Sequence, residues 1–524
     1  MKRVRSDDSS VAGRACKLEE FVLQQAVANK SFAVWIKAQP GGVSLASGVQ
    51  DYRDYVAALK RRYLGESGQV LTFGSGDCGQ LAHGIDEDRD LMVKFPRKVL
   101  SLADKHVIGI SCGGLHNAVF TSSGAVYTWG CNDDGSLGRE GVEHEALRVT
   151  TGGLENEVVV GVACGDGQTM CVTVKGVVYG WGCFKDKEGK KFFNPSPDDP
   201  KAKVKKQQDT PIVISGLPKD SKVLELACGS AHNLALCANG SVYSWGLGES
   251  GELGRPVGEL KFPPDDEGEQ EYDLKTISEQ HISPRSMLLE GGQKGGGGGD
   301  VRGCVAIGTG AFHSIVAVVV NTDDPKAATG CSSLAYSTGL NNYGQLGLGD
   351  TNNRSLLCEI SALRNVGLRA VRGGMHHSLA LAASGQVLAF GRGDSGQIGI
   401  ESLSEKGGGE AGAYVSTPVL VPMPKNAGHV TGVSAGSNHN LAVTAQGAVY
   451  SWGYGDMLAL GHGAGAKSSS DEDAAVGCLD EPAPKLIDLA KVKDAKLLGP
   501  GAELAVALVC GGGQHSALVA SEIR

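Results

Sequence analysis

Two short motifs alternate along this chain, and each recurs seven times. The first is a small residue, then Gly-x-x-His, then an apolar run. Its copies are CGGLHNAVF (112–120), CGSAHNLAL (228–236), TGAFHSIVAV (309–318), RGGMHHSLAL (372–381), AGSNHNLAV (435–443) and GGGQHSALV (511–519), with CGDGQTMCV (164–172) carrying Gln168 in place of His. The second is a short run ending in Gly: QVLTFG (69–74), AVYTWG (125–130), VVYGWG (177–182), SVYSWG (241–246), LAYSTG (334–339), QVLAFG (386–391) and AVYSWG (448–453). Such self-similarity marks an array of one supersecondary unit. Seven copies of each motif predict an all-β, seven-bladed β-propeller.

The residue types support strands. Val126, Tyr127 and Trp129 are strand formers, and the apolar runs are too short for helices. Turns such as SSG (122–124) and ANG (238–240) join the first motif to the second, as hairpins require. After the second motif comes a G-x-x-x-x-G-x-L-G type loop, as in GCNDDGSLG (130–138), GLGESGELG (246–254), GLNNYGQLG (339–347) and GRGDSGQIG (391–399). A helix over these segments would lose about 1 kcal/mol at each glycine. The run 69–74 precedes every copy of the first motif, and 511–519 has no partner after it. Pairing these two ends in one four-stranded blade closes the ring and removes open sheet edges.

Bulk properties narrow the function. A length of 524 residues usually signals several domains, but a closed propeller grows large as one unit. The 78 glycines show no G-X-Y period, which excludes collagen. A net charge of −9 disfavours indiscriminate nucleic-acid binding by the body. No CxxC pair occurs among the 14 cysteines, so no metal site is expected. Cys112, Cys164 and Cys228 recur at one repeat position and read as small buried strand residues in a reducing, intracellular protein. No apolar run reaches 18 residues, and MKRVRSDDSS has no apolar core, so neither a membrane span nor a signal peptide is expected. No nucleophile–base pair or phosphate loop stands out. The GxGxxG-like strings follow the blade loops and open no helix, so they are not nucleotide sites. No cofactor is expected, and any catalysis must work through protein contact.

Residues 1–67 are expected to form an N-terminal extension, partly helical or disordered, with helical spacing in LEEFVLQQAVANKSFAVWIKA and YRDYVAALKRRYL. The basic start of MKRVRSDDSS reads either as an untethered terminus or as a nuclear-entry or DNA-contact signal. The ring itself is expected over 68–520. Flexible inserts are expected near 256–303, which holds a glycine run, and near 463–482, which is acidic.

The repeat pair resembles the family named after the regulator of chromosome condensation, over about residues 68–520. GCNDDGSLGR (130–139), GCFKDKEG (182–189) and GGQH (512–515) look closer to the family's exchange factor for the small GTPase Ran than to its generic members. The resemblance implies a nuclear, chromatin-associated guanine-nucleotide exchange factor with Ran as partner, chromatin contact through the basic N-terminus, and no membrane. The third blade breaks the repeat twice, with Gln168 for His and with GCFKDKEGKKFF (182–193) for the Gly/Leu loop. By similarity, Phe184, Lys185, Asp186, Lys187 and Glu188 form a β-wedge against the phosphate-binding loop of the GTPase. Asp166 and His376 match residues implicated in exchange itself, on the reading that His376 opens the sixth inner strand. Asp77, His116, Arg255, Asn342 and His515 match partner contacts. The chain departs from the family at Ala231, where an acidic residue is expected, and at Gly344, where a His is. The rival reading is a non-catalytic propeller scaffold. A plant-type ultraviolet receptor shares the ring but needs GWRHT repeats, and no such string occurs.

Overall fold

A computed structural model describes residues 68–84, 91–193, 204–258, 276–289, 301–321, 331–404, 413–463, 480–492 and 503–523. The N-terminal extension, the glycine run and most of the acidic insert therefore lie outside the described residues. The described chain forms seven four-stranded antiparallel sheets. Blades are numbered here from the one holding both chain ends. In the second blade the strands run Val107–Cys112, His116–Thr121, Val126–Gly130 and Leu147–Arg148, from the channel outwards. The innermost strands of all seven blades line a central cavity of about 430 Å³. The strand of the first motif is thus second from the channel. The inner strand is the one before it, ending at the small residue that opens the motif.

Ring closure follows the expected pairing. Gln69–Ser75 lies antiparallel to His515–Ile523, with Val70 opposite Val519 and Gly74 opposite His515. Glu503–Gly511 and Met92–Lys98 complete that first blade. Part of the insert expected at 256–303 is not a linker. Ile277 and Ile282 are buried in the core between the third and fourth blades, and Arg285–Ser286 pairs with Tyr243 and Ser244 as the fourth blade's outer strand. Apolar side chains spaced through 277–287 draw this stretch onto the sheet, which the neighbouring glycines obscure.

The repeated residues fasten loops to their blades and blades to one another. The third strand of each blade has a glycine as its last or next-to-last residue, with φ between +92° and +116°. At Gly130 a Cβ would come 2.4 Å from the Leu115 carbonyl oxygen, so no side chain fits. The loop leucines Leu81, Leu137, Leu253, Leu346 and Leu460 are buried, and a Thr or Ser hydroxyl of the third strand donates to each leucine carbonyl at 2.6–2.8 Å. Trp129, Trp181 and Trp452 are fully buried and donate Nε1–H to a loop carbonyl of the preceding blade. The hydroxyl bonds hold each loop to its own blade, the tryptophan bonds seal one blade to the next, and each satisfies a polar group that burial would otherwise strand.

Candidate functional site

Antiparallel topology sorts the connections to two ends of the ring. At one end lie the turns before each second strand (113–115, 165–167 and their equivalents) and the long loops after each third strand. All the residues singled out from the sequence fall at this end. Their environments then divide them.

Five of them are buried and bind the protein itself. His116 is 1% exposed and its Nε2 lies 2.8 Å from Thr169 Oγ1 of the next blade. His515 is fully buried, with Nε2 2.7 Å from Asn117 Oδ1, across the closure seam. The same bond recurs from His232 to Ser314, His313 to Ser378, His377 to Asn440 and His439 to Ser516. Gln168 extends the ring through Nε2–H to the Gly229 carbonyl at 3.1 Å. The receiving side chains pass the relay on: Thr169, Ser314, Ser378 and Ser516 each donate to a loop carbonyl of the preceding blade. Burial pushes His232, His313 and His515 down to about 3, and His116, His377 and His439 to about 4, so all six are neutral at pH 7. His116 and His515 are structural, not exposed partner contacts. Arg255 is also buried. Its guanidinium donates to carbonyls of Gln280, His281 and Ser283 and ties that stretch of the insert to the fourth blade. Phe184 and Asp186 complete the five.

The register of the sixth blade corrects the reading of His376. The repeated His there is His377, which opens the strand His377–Ala382. The adjacent pair of histidines hides the one-residue offset. His376 occupies the variable turn position filled elsewhere by Leu115 and Phe312. It is half-buried, its ring 5.0 Å from that of Tyr343 and 6.5 Å from that of Phe312. Arg392 lies over the same Tyr343 ring at 5.4 Å. Burial, with Arg392, lowers the His376 pKa. Asn342, beside Tyr343, is exposed.

The third-blade loop is a short hairpin, Phe184–Lys185 paired with Lys191–Phe192. Phe184 is 2% exposed and stacks on Phe193 at 5.8 Å, so it anchors the hairpin and is not its tip. Asp186 is buried too. Its Oδ1 accepts the N–H groups of Glu188 and Lys190 and fixes the turn. Lys185, Lys187 and Glu188 are exposed. Asp134, from the second-blade loop, binds Lys185 at 2.5 Å and Lys191 at 3.0 Å. Burial raises the Asp134 pKa, but these two ammonium groups outweigh it and hold the carboxyl below its usual range. Asp134 and Lys191 were not singled out from the sequence. The doubled aspartate in GCNDDGSLG, unmatched in the other loops, was the available signal.

A cavity of about 500 Å³ joins the hairpin base to the channel mouth. Asp133, Asp134, Asp166, Lys185, Asn438 and Tyr454 contribute to its wall. Asp166 is exposed on the turn before the second strand. Lys187 lines a separate groove of about 960 Å³ with Glu249, against which Arg255 is packed. Asp77 is exposed in a third hollow with Glu143 and His144. Ala231 lies on a turn and its carbonyl accepts the Leu247 N–H. Gly344 has φ +73°, and a Cβ there would meet Ser416 Cα at 2.5 Å, so the loop requires glycine. Among the described residues, no three His, Cys, Asp or Glu side chains converge as a metal set, and no helix is long and apolar enough to cross a membrane. This end of the ring thus presents exposed charges, Asp77, Asp166, Lys185, Lys187 and Glu188 among them, above a buried layer of inter-blade histidines.

Comparison with known proteins gives the face its context. The family described as an RCC1-like domain matches residues 69–519. Protein pim1 of Schizosaccharomyces pombe is 30% identical over 471 residues, covering 84% of this chain and 74% of that one. The regulator of chromosome condensation of Homo sapiens is 29% identical over 475 residues, covering 89% and 94%. The crystal structure of Prp20p from Saccharomyces cerevisiae, described with its binding properties to Gsp1p and histones, superposes with a TM-score of 0.66 at 25% identity, covering 88% of this chain and 92% of that one. A family match over the whole ring, carried by the same repeat that builds its seven blades, means that this chain belongs to the RCC1-like domain family.

Proposed function

We propose that this chain is a guanine-nucleotide exchange factor for the small GTPase Ran, acting by protein contact with no chemical step. The observation that carries the reading is the third blade. There the repeat loop gives way to a braced hairpin beside Asp166, in a chain whose relatives over the full ring include the regulator of chromosome condensation. The braces matter mechanically. Phe184 stacking, the Asp186 turn and the Asp134 ion pairs leave Lys187 and Glu188 as a stiff projecting tip. A stiff tip spends little binding energy on its own ordering and directs more of it to the partner.

In this mechanism the loop face docks on Ran and the tip presses on the phosphate-binding region. Exposed carboxylates such as Asp166 steer a basic surface and raise the encounter rate. The complex stabilises nucleotide-free Ran, GDP leaves, and GTP rebinding displaces the propeller. An acceleration of about 10⁵-fold needs roughly 7 kcal/mol of preference for the open state. His376 acts from the rim of the aromatic cluster, not from the inter-blade relay. The family relation further supports a nuclear protein held on chromatin, with Lys2, Arg3 and Arg5 as the candidate contact. The test is capture of nucleotide-free Ran by the full chain and by Asp166→Ala, His376→Ala and a Lys187→Gly/Glu188→Gly variant. Weaker capture by these folded variants supports the reading. Equal capture by all three moves the contact off this face, and no capture by any protein leaves the scaffold reading.

A further inference from the structure

At three junctions between the innermost strands of neighbouring blades, one side chain accepts the backbone N–H of the next blade's last inner-strand residue. Ser111 Oγ accepts from Cys164 at 3.0 Å, and Ser434 Oγ accepts from Gly511 at 3.0 Å. At the seam between the closing blade and the second blade, the acceptor is a thiol. Cys510 Sγ accepts the Cys112 N–H at 3.1 Å. In return, the Cys112 thiol donates to the Cys510 carbonyl at 3.7 Å. The two cysteines thus lie side by side on adjacent inner strands, each sulfur against the other's backbone, the neighbouring placement from which a disulfide can form. Both are reduced, and both line the central cavity of about 430 Å³ together with Arg372.

We propose that Cys510 and Cys112 are a peroxide-oxidisable dithiol that closes the propeller covalently at its seam. Cys510 is the attacking sulfur. The Cys112 thiol, its N–H and the Arg372 guanidinium outweigh burial and hold the Cys510 pKa below the ordinary thiol range, whereas burial holds Cys112 above it. The Cys510 thiolate attacks one oxygen of hydrogen peroxide. The O–O bond breaks, leaving sulfenic acid on Cys510 and, with one proton, water. The Cys112 sulfur then attacks Cys510, the S–O bond breaks, the S–S bond forms, and the second proton leaves in a second water. Two thiols lose two electrons and one peroxide gains them. The link would join positions 398 residues apart in sequence.

The test uses the full chain, reduced, then treated with stoichiometric hydrogen peroxide, alkylated and digested without reductant. The expected result is one linked peptide pair containing Cys112 and Cys510, released by dithiothreitol, and an upward shift in the thermal midpoint of the oxidised protein. Cys510→Ser restores at this seam the hydroxyl found at Ser111 and Ser434, so it should fold, form no link and show no peroxide-dependent shift. Recovery of both cysteines fully alkylated after peroxide overturns the proposal. So does a link from Cys112 or Cys510 to any other cysteine, or an equal midpoint shift in Cys510→Ser.

Discussion

Glu252 shows how one side chain departs from its repeat. At the same loop position Gln80, Gln345 and Gln397 use Oε1 to accept a backbone N–H two residues earlier, at 2.8–2.9 Å. Glu252 makes that bond from Oε2 at 2.7 Å while 4% exposed, and burial raises its pKa to about 8. The folded protein therefore keeps a proton that the unfolded chain releases above about pH 4.5, and stability falls as pH rises from there to about 8. Glu252→Gln should raise stability at pH 7 by roughly 2–3 kcal/mol and at pH 4 by little, measured by urea unfolding. The six relay histidines act in the opposite direction. Their folded pKa values lie below the unfolded value of about 6.5, so their contribution is present above that pH and lost as pH falls. Each costs about 1.4 kcal/mol per pH unit below 6.5. Thermal midpoints should drop steeply between pH 6.5 and 5, and a flat profile there would contradict neutral buried histidines. The recurrence of His was legible in the sequence because it repeats. Its partner was not, since the receiving Thr, Ser or Asn sits on the next blade. The one-residue offset at His376 and His377 was hidden because either histidine fits a spacing of Gly-x-x-His.

Among the elements, the third-blade hairpin combines a core anchor with an exposed tip. Treated as one loop, Phe184–Glu188 looks replaceable without harm to the fold. The structure corrects this, because Phe184 and Phe193 fill the core beneath the hairpin. Phe184→Ala should cost about 3–5 kcal/mol in chemical unfolding. Lys187→Gly with Glu188→Gly should change stability by no more than about 1 kcal/mol, because both side chains are exposed. Equal losses in the two variants would mean that the tip is also structural. The break in the repeat was readable from the missing G-x-L-G. The bracing was not, because Asp134 lies on the preceding blade's loop. Outer strands were equally hard to place from sequence. Arg285–Ser286 is two residues long and reaches its sheet only after the long insert that follows Gly246.

For the whole molecule, the closing strand decides whether the ring exists. Val70, Leu71 and Phe73 are at most 2% exposed, and Leu71 and Phe73 pack with Leu518 and Leu441 in the core beside the closing blade. Losing three such side chains costs about 9 kcal/mol or more, comparable to the stability of a whole domain. A chain beginning at residue 76 should lose its cooperative thermal transition, while one beginning at residue 61 should keep it. Retention of the transition by the shorter chain would contradict closure by Gln69–Ser75. The central functional claim is met most directly by the rate at which fluorescent GDP leaves Ran, followed by stopped flow at rising concentrations of this chain. The account predicts release that accelerates with propeller concentration and saturates, and that is lost in the Lys187→Gly/Glu188→Gly variant. Release at the intrinsic rate at every concentration, with the propeller folded, would contradict it.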